Sequence, residues 1–146
     1  MNWTKNAKDD LRTYREKQAG QANLRQRIDE LTAQMDRIKS QDLSKDRVQG
    51  GTPNNDALLG IIDEKARLCA NLKSVNEYIQ RVERGLAVLT PEETAVLTAA
   101  YINARQGGCY AEEVSQQINY GERTIYYIRS AALRKFTRAM YGVVEE

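Results

Sequence analysis

Two stretches of the chain carry the heptad rhythm of paired helices. Within 5–40, Leu24, Ile28, Leu31, Met35 and Ile38 recur at alternating steps of four and three residues, which lines them along one seam of an α-helix. Traced backwards, that seam meets Gln21, Lys17, Tyr14 and Asp10, so its first half is weakly apolar. About 36 residues rising 1.5 Å each predict a rod of roughly 54 Å. Within 56–86 the rhythm is stronger: Leu58, Ile61, Leu68, Leu72, Val75, Ile79, Val82 and Leu86 hold it, broken once by Lys65. Asp56 is the expected N-cap of this second helix. Between them, 41–56 reads as a polar loop with Gly50, Gly51 and Pro53. Two amphipathic helices joined this way predict an antiparallel hairpin. Ile28, Ile62 and Cys69 widen its apolar stripe beyond the seam, so the hairpin calls for a partner. That partner is either a second copy, making a homodimer or higher homo-oligomer, or the C-terminal part of the chain.

The pattern changes after Leu86. Gly85 to Pro91 reads as a joint, and Gly107-Gly108 as another. Thr90-Pro91-Glu92-Glu93 opens a new helix, with Thr90 as N-cap, Pro91 at the first helical position and Glu93 closing a capping box. Glu92 and Glu93 resemble an acid/base pair, but at a helix start their spacing suits capping and the macrodipole. That helix carries Val96, Leu97, Ala100 and Tyr101. A short helix follows, about 110–117, presenting Ala111, Val114 and Ile118. Asn119-Tyr120-Gly121 is a tight turn, since Asn and Gly accept left-handed or cap geometry. A long helix from Glu122 to about Tyr141 then places Ile125, Ile128, Ala132, Leu133, Phe136 and Met140 on one face. The fold class expected is all-α: a helical hairpin over 1–86, then a helix-turn-helix over 87–146.

Composition narrows the chemistry. The 146 residues contain no histidine, so imidazole general-base catalysis and His-ligated zinc are excluded. Cys69 and Cys109 stand alone without a C-x-x-C, and suit a reducing cytosol rather than a disulfide framework. No apolar run approaches the length of a membrane span, and no secretory h-region opens the sequence. Phosphate-loop, serine-hydrolase and zinc-protease motifs are absent. No enzyme, cofactor or metal is therefore expected. The net charge of +2 says little by itself. Its distribution says more, because Arg123, Arg129, Arg134, Lys135 and Arg138 follow one another with no acid between Arg123 and Arg138. A basic stripe on a second helix after a tight turn is the geometry that enters a DNA major groove. A solvated helix face is the alternative.

Residues 111–136 resemble the last helix-turn-helix of bacterial sigma factors, their fourth conserved region. Glu113-Val114-Ser115-Gln116-Gln117-Ile118-Asn119-Tyr120-Gly121 is similar to that family's E-[IV]-A-x-x-L-G-[IV]-[ST] stretch. Ile125-x-x-Ile128-x-x-x-Ala132-Leu133-Arg134-Lys135-Phe136 is similar to its I-x-x-I-x-x-x-A-L-R-K-L helix. The match spans about Leu86 to Phe136. At the start of the second helix, where sigma factors carry an Arg-Glu-Arg-like set, this chain has Glu122, Arg123 and Thr124. The whole layout, a coiled coil followed by this motif, resembles phage and prophage late-transcription activators of the RinA and ArpU type. The resemblance implies a phage-encoded activator of late genes that binds double-stranded DNA in the cytoplasm of its bacterial host.

Residue roles follow as expectations. Arg123 is placed to donate to guanine O6 and N7, and Glu122 to accept from cytosine N4. Thr124, Tyr126 and Tyr127 suit thymine methyls or phosphates. Arg129, Arg134, Lys135 and Arg138 suit phosphates, with Lys135 the one that could turn towards the helix pair instead. The alternatives are a first-turn dipole partner for Glu122, packing on the N-terminal hairpin for the tyrosines, and a C-terminal dipole complement for Arg134 and Arg138. A rival reading is an interaction protein whose coiled coil docks RNA polymerase without reading sequence. A lesser one is a small terminase-like packaging protein.

Overall fold

The computed structural model describes residues 2–44, 53–104 and 109–142, and among these there are helices and no strand. The elements are α1 (Trp3–Arg12), α2 (Tyr14–Ser44), α3 (Pro53–Ala87), α4 (Pro91–Leu97), a π turn (Thr98–Ile102), α5 (Tyr110–Ile118) and α6 (Glu122–Tyr141). The all-α expectation holds. Within the expected loop 41–56, residues 41–44 close α2 and 53–56 open α3, while 45–52 lie outside the described residues. Asp56 is therefore not an N-cap. With Pro53 as the first helical residue, a position where proline's missing N–H costs nothing, α3 starts earlier and Asp56 lies in its first turn. The Gly107-Gly108 joint also lies outside the described residues.

The chain divides into two compact units, Met1–Lys17 with Tyr78–Glu146, and Gln18–Glu77. This differs from the expected split at 86 and 87. The reason is that the N-terminal end of the first helical stretch packs with the C-terminal helices. Ala7 and Leu11 are fully buried, in one cluster with Val82, Leu97, Tyr101, Ala132, Leu133 and Phe136. Ala7 continues the seam one step beyond Asp10, Leu11 lies beside it four residues on, and Tyr14 packs on the same cluster. Asn2 caps α1, its side chain accepting from the Lys5 N–H at 2.9 Å.

The single rod expected over 5–40 is interrupted at Thr13. Its hydroxyl donates back to the Asp9 carbonyl at 3.0 Å, a contact that bends helices. The Tyr78 hydroxyl donates to the next carbonyl, that of Asp10. Main-chain bonds from Thr13 to Asp9 and from Lys17 to Thr13 still span the interruption, each at 3.0 Å. The weakly apolar start of the seam is thus used for polar contacts: Tyr14 donates to Glu83 at 3.1 Å, and Lys17 lies 5.6 Å from the Tyr78 ring centre.

Of the joint expected from Gly85 to Pro91, residues 88–90 do connect α3 to α4, but Gly85 belongs to the helix. It lies buried within α3, and a Cβ there would come 2.8 Å from Phe136 Cε2 and 3.2 Å from Met140 Sδ. The missing side chain lets the ring sit against the helix backbone. In the other unit, Gln21 donates to Asn76 and Arg27 ion-pairs with Glu64 at 3.1 Å. Climbing α2 from 21 to 27 therefore descends α3 from 76 to 64. The seam residues of this unit are half-buried, and Leu31 alone among them is fully so.

Candidate nucleic-acid interface

The candidate interface is built on α4, α5 and α6. Thr90 caps α4 as its sequence predicts: its hydroxyl accepts from Glu93 N–H and the Glu93 carboxylate accepts from Thr90 N–H, both at 3.2 Å. Lys135 of α6 reaches the same carboxylate at 3.0 Å. Burial pushes the Glu93 carboxyl upward, but hydrogen bonds from Lys135 and Thr90 outweigh it and hold the group below the usual glutamate range. Glu92 instead accepts from the Tyr120 hydroxyl at 3.3 Å. The two carboxylates thus serve a cap and the turn, the structural alternative to an acid/base pair.

Val96, Ala111, Val114 and Ile125 form the buried cluster between these helices, with Ile118 and Ile128 packed on it. Every apolar residue expected on the facing sides of α5 and α6 is buried or half-buried. Asn119 adopts φ 57°, ψ 29°, the left-handed conformation expected of a turn residue. Ser115 Oγ donates to the Tyr120 carbonyl at 2.7 Å and ties the turn to α5. Gly121 is the N-cap of α6, with no side chain to serve its first N–H groups.

Glu122, Arg123, Thr124, Tyr126 and Tyr127 are all exposed, Tyr127 the most at 74%. Arg123, Tyr127 and Arg134 share one face, opposite the buried Ile125–Ala132 line. Ser130 lies on that face too, seven residues past Arg123; helical spacing alone would have found it. Among the described residues, Arg123, Arg134 and Arg138 make no ion pair, and Arg138 stands in the last turn of α6.

Three expected contact residues are already engaged within the molecule. Lys135 is bound to Glu93, so a phosphate would have to compete for its ammonium. Arg129 is half-buried, with its guanidinium 5.8 Å from the Tyr110 ring centre and 5.4 Å from that of Tyr126. Tyr110 and Tyr126 meet edge to face at 5.9 Å. Tyr126 thus packs on α5, and its half-exposed outer part remains open. Tyr126 and Arg129 stand three residues apart on α6, a spacing the sequence shows, but no pattern announces Tyr110, which comes from α5. Burial raises the Tyr110 hydroxyl above its ordinary value, opposed by the Arg129 charge.

Cys69 and Cys109 are exposed and unbridged. Among the described residues no three His, Cys, Asp or Glu side chains gather to hold a metal ion, and no helix is long and apolar enough to cross a membrane. No protein-family model, curated protein or solved structure matches the chain.

Proposed function

We propose that the chain is a sequence-reading regulator of transcription that binds double-stranded DNA through a sigma-like helix-turn-helix, with α6 as the reading helix. The observation that carries this reading is the outward face at the start of α6. There Arg123, Thr124 and Tyr127 project from a helix that a three-residue turn and a buried apolar line hold in place. Residues at that end of a second helix are the ones that reach base edges. Arg134 and Arg138, further along, serve phosphates. Glu122 accepts from cytosine or faces the helix dipole. The narrower assignment, a phage activator of late genes with RNA polymerase as a partner, rests on the sequence resemblance.

Selection of bound fragments from random duplex DNA tests the reading, with Arg123→Ala beside the wild type. An enriched motif is expected, and in the variant it should degrade at one position with a loss of about 1–3 kcal/mol. Arg138→Ala should instead weaken all sequences alike and reduce the salt slope by about one. No enrichment, or equal loss on every sequence with Arg123→Ala, would move the chain to the interaction-protein class. RNA polymerase pull-down would then be the next assay.

A further inference from the structure

The two-helix unit carries a second apolar stripe that its own seam does not use. Leu59, Ile62, Ala66 and Cys69 follow one another on α3 at steps of three, four and three, the spacing of a helix-packing face. All four are exposed, Leu59 at 59% and Ile62 at 41%. The stripe is graded in size, with two large residues at one end and two small ones at the other. Its charges are graded as well. From 56 to 64 the charged residues are Asp56, Asp63 and Glu64, and from 65 to 73 they are Lys65, Arg67 and Lys73.

We propose that this face seats a second copy of the chain, the two α3 helices lying antiparallel across a two-fold axis between Ile62 and Ala66. In that register Ile62 falls opposite the partner's Ala66 and Leu59 opposite the partner's Cys69. Each large side chain thereby meets a small one, as close packing requires. The acidic half of one helix lies along the basic half of the other, with Asp63 near the partner's Arg67 and Asp56 near the partner's Lys73. A parallel pairing would set Leu59 and Ile62 against their own copies, leave a gap at Ala66 and Cys69, and align like charges. A two-fold contact must be self-complementary, and the antiparallel register meets that condition in both size and charge. Only residues of Gln18–Glu77 take part, and the contact does not depend on DNA binding, so failure of either reading leaves the other standing.

Sedimentation equilibrium of the full chain tests it, since the mass of a reversible dimer follows protein concentration. The wild type should show two-chain mass at tens of micromolar. Ile62→Glu, with helical content checked by circular dichroism, should weaken association by roughly 100-fold or more, because it places an unpaired charge in the contact. Asp63→Arg and Arg67→Asp, both at exposed positions, should each weaken it by about tenfold, and the double variant should restore it. In a Cys109→Ser background, oxidation should not link Cys69 to its copy, since antiparallel packing sets them about ten residues or ~15 Å apart. One-chain mass for the wild type, undiminished association of Ile62→Glu, or efficient Cys69 cross-linking would each overturn the proposal. So would a double charge reversal that fails to restore what the single ones lose.

Discussion

The two units differ in how completely they enclose their apolar side chains. Among the described residues, Leu31 is the only fully buried hydrophobic residue of Gln18–Glu77, and all the others belong to the unit of α1, α4, α5, α6 and the end of α3. A pair of helices covers a seam from one side only. Where five helical segments meet, a ring such as Phe136 is covered all round. Fully burying a large apolar side chain contributes about 1.5–3 kcal/mol, so the enclosed unit holds its shape through many such terms. The two-helix unit has a row of half-terms and an unused stripe. The lesson is that heptad spacing predicts a seam without predicting enclosure.

Phe136→Ala should be the most damaging single change, at about 3–5 kcal/mol, because the ring is fully buried and packed on Gly85. Hydrogen exchange followed by peptide should show the loss in 2–17 and 78–142, with 18–77 keeping its own protection. Equal loss in both regions would break the comparison. Gly85→Ala comes next. Alanine favours a helix by about 1 kcal/mol over glycine, but its Cβ would press on a ring that has no room to retreat. Overpacking of that kind costs about 1–3 kcal/mol, so a net loss of about 1 kcal/mol is expected in urea denaturation. A gain in stability would show that Phe136 yields.

Much of this architecture was legible because it is local. The capping box at Thr90, the left-handed Asn119 and the extent of α6 depend on residues within a turn of each other. The facing sides of α5 and α6 were legible for the same reason, since period alone sorts Ile125 from Tyr127. What escaped depends on distant partners. Nothing near Ala7 and Leu11 announces Phe136, and Tyr141, which donates to Asp10 and stacks near Trp3 at 5.1 Å, lies at the far end of the chain. Gly85 looked like punctuation because a glycine that makes room for a ring and one that ends a helix are the same letter. At the candidate interface, the exposed positions of α6 could be read from spacing. The capture of Arg129 by two tyrosines and of Lys135 by Glu93 could not.

The contact between Glu93 and Lys135 supplies the finest test, because it belongs to the enclosed unit yet half-exposes one partner. Glutamine can keep the N-terminal cap of α4, since it also accepts from the Thr90 N–H. Glu93→Gln therefore removes the charge and leaves the box. With Lys135 about half exposed, solvent screening limits the pair to less than about 1 kcal/mol. The folded carboxyl sits below its unfolded value, so folding favours the ionised form. That stabilisation is present above the unfolded value of about 4.3 and is lost as the pH falls through the folded one. The urea midpoint of the wild type should thus exceed that of Glu93→Gln slightly at neutral pH, and the two should converge in acid. Lys135→Met should bring the wild-type loss to a higher pH, because the strongest opposition to burial is then gone. A gap between the wild type and Glu93→Gln that persists unchanged in acid would mean that the carboxylate acts here through geometry and not through its charge.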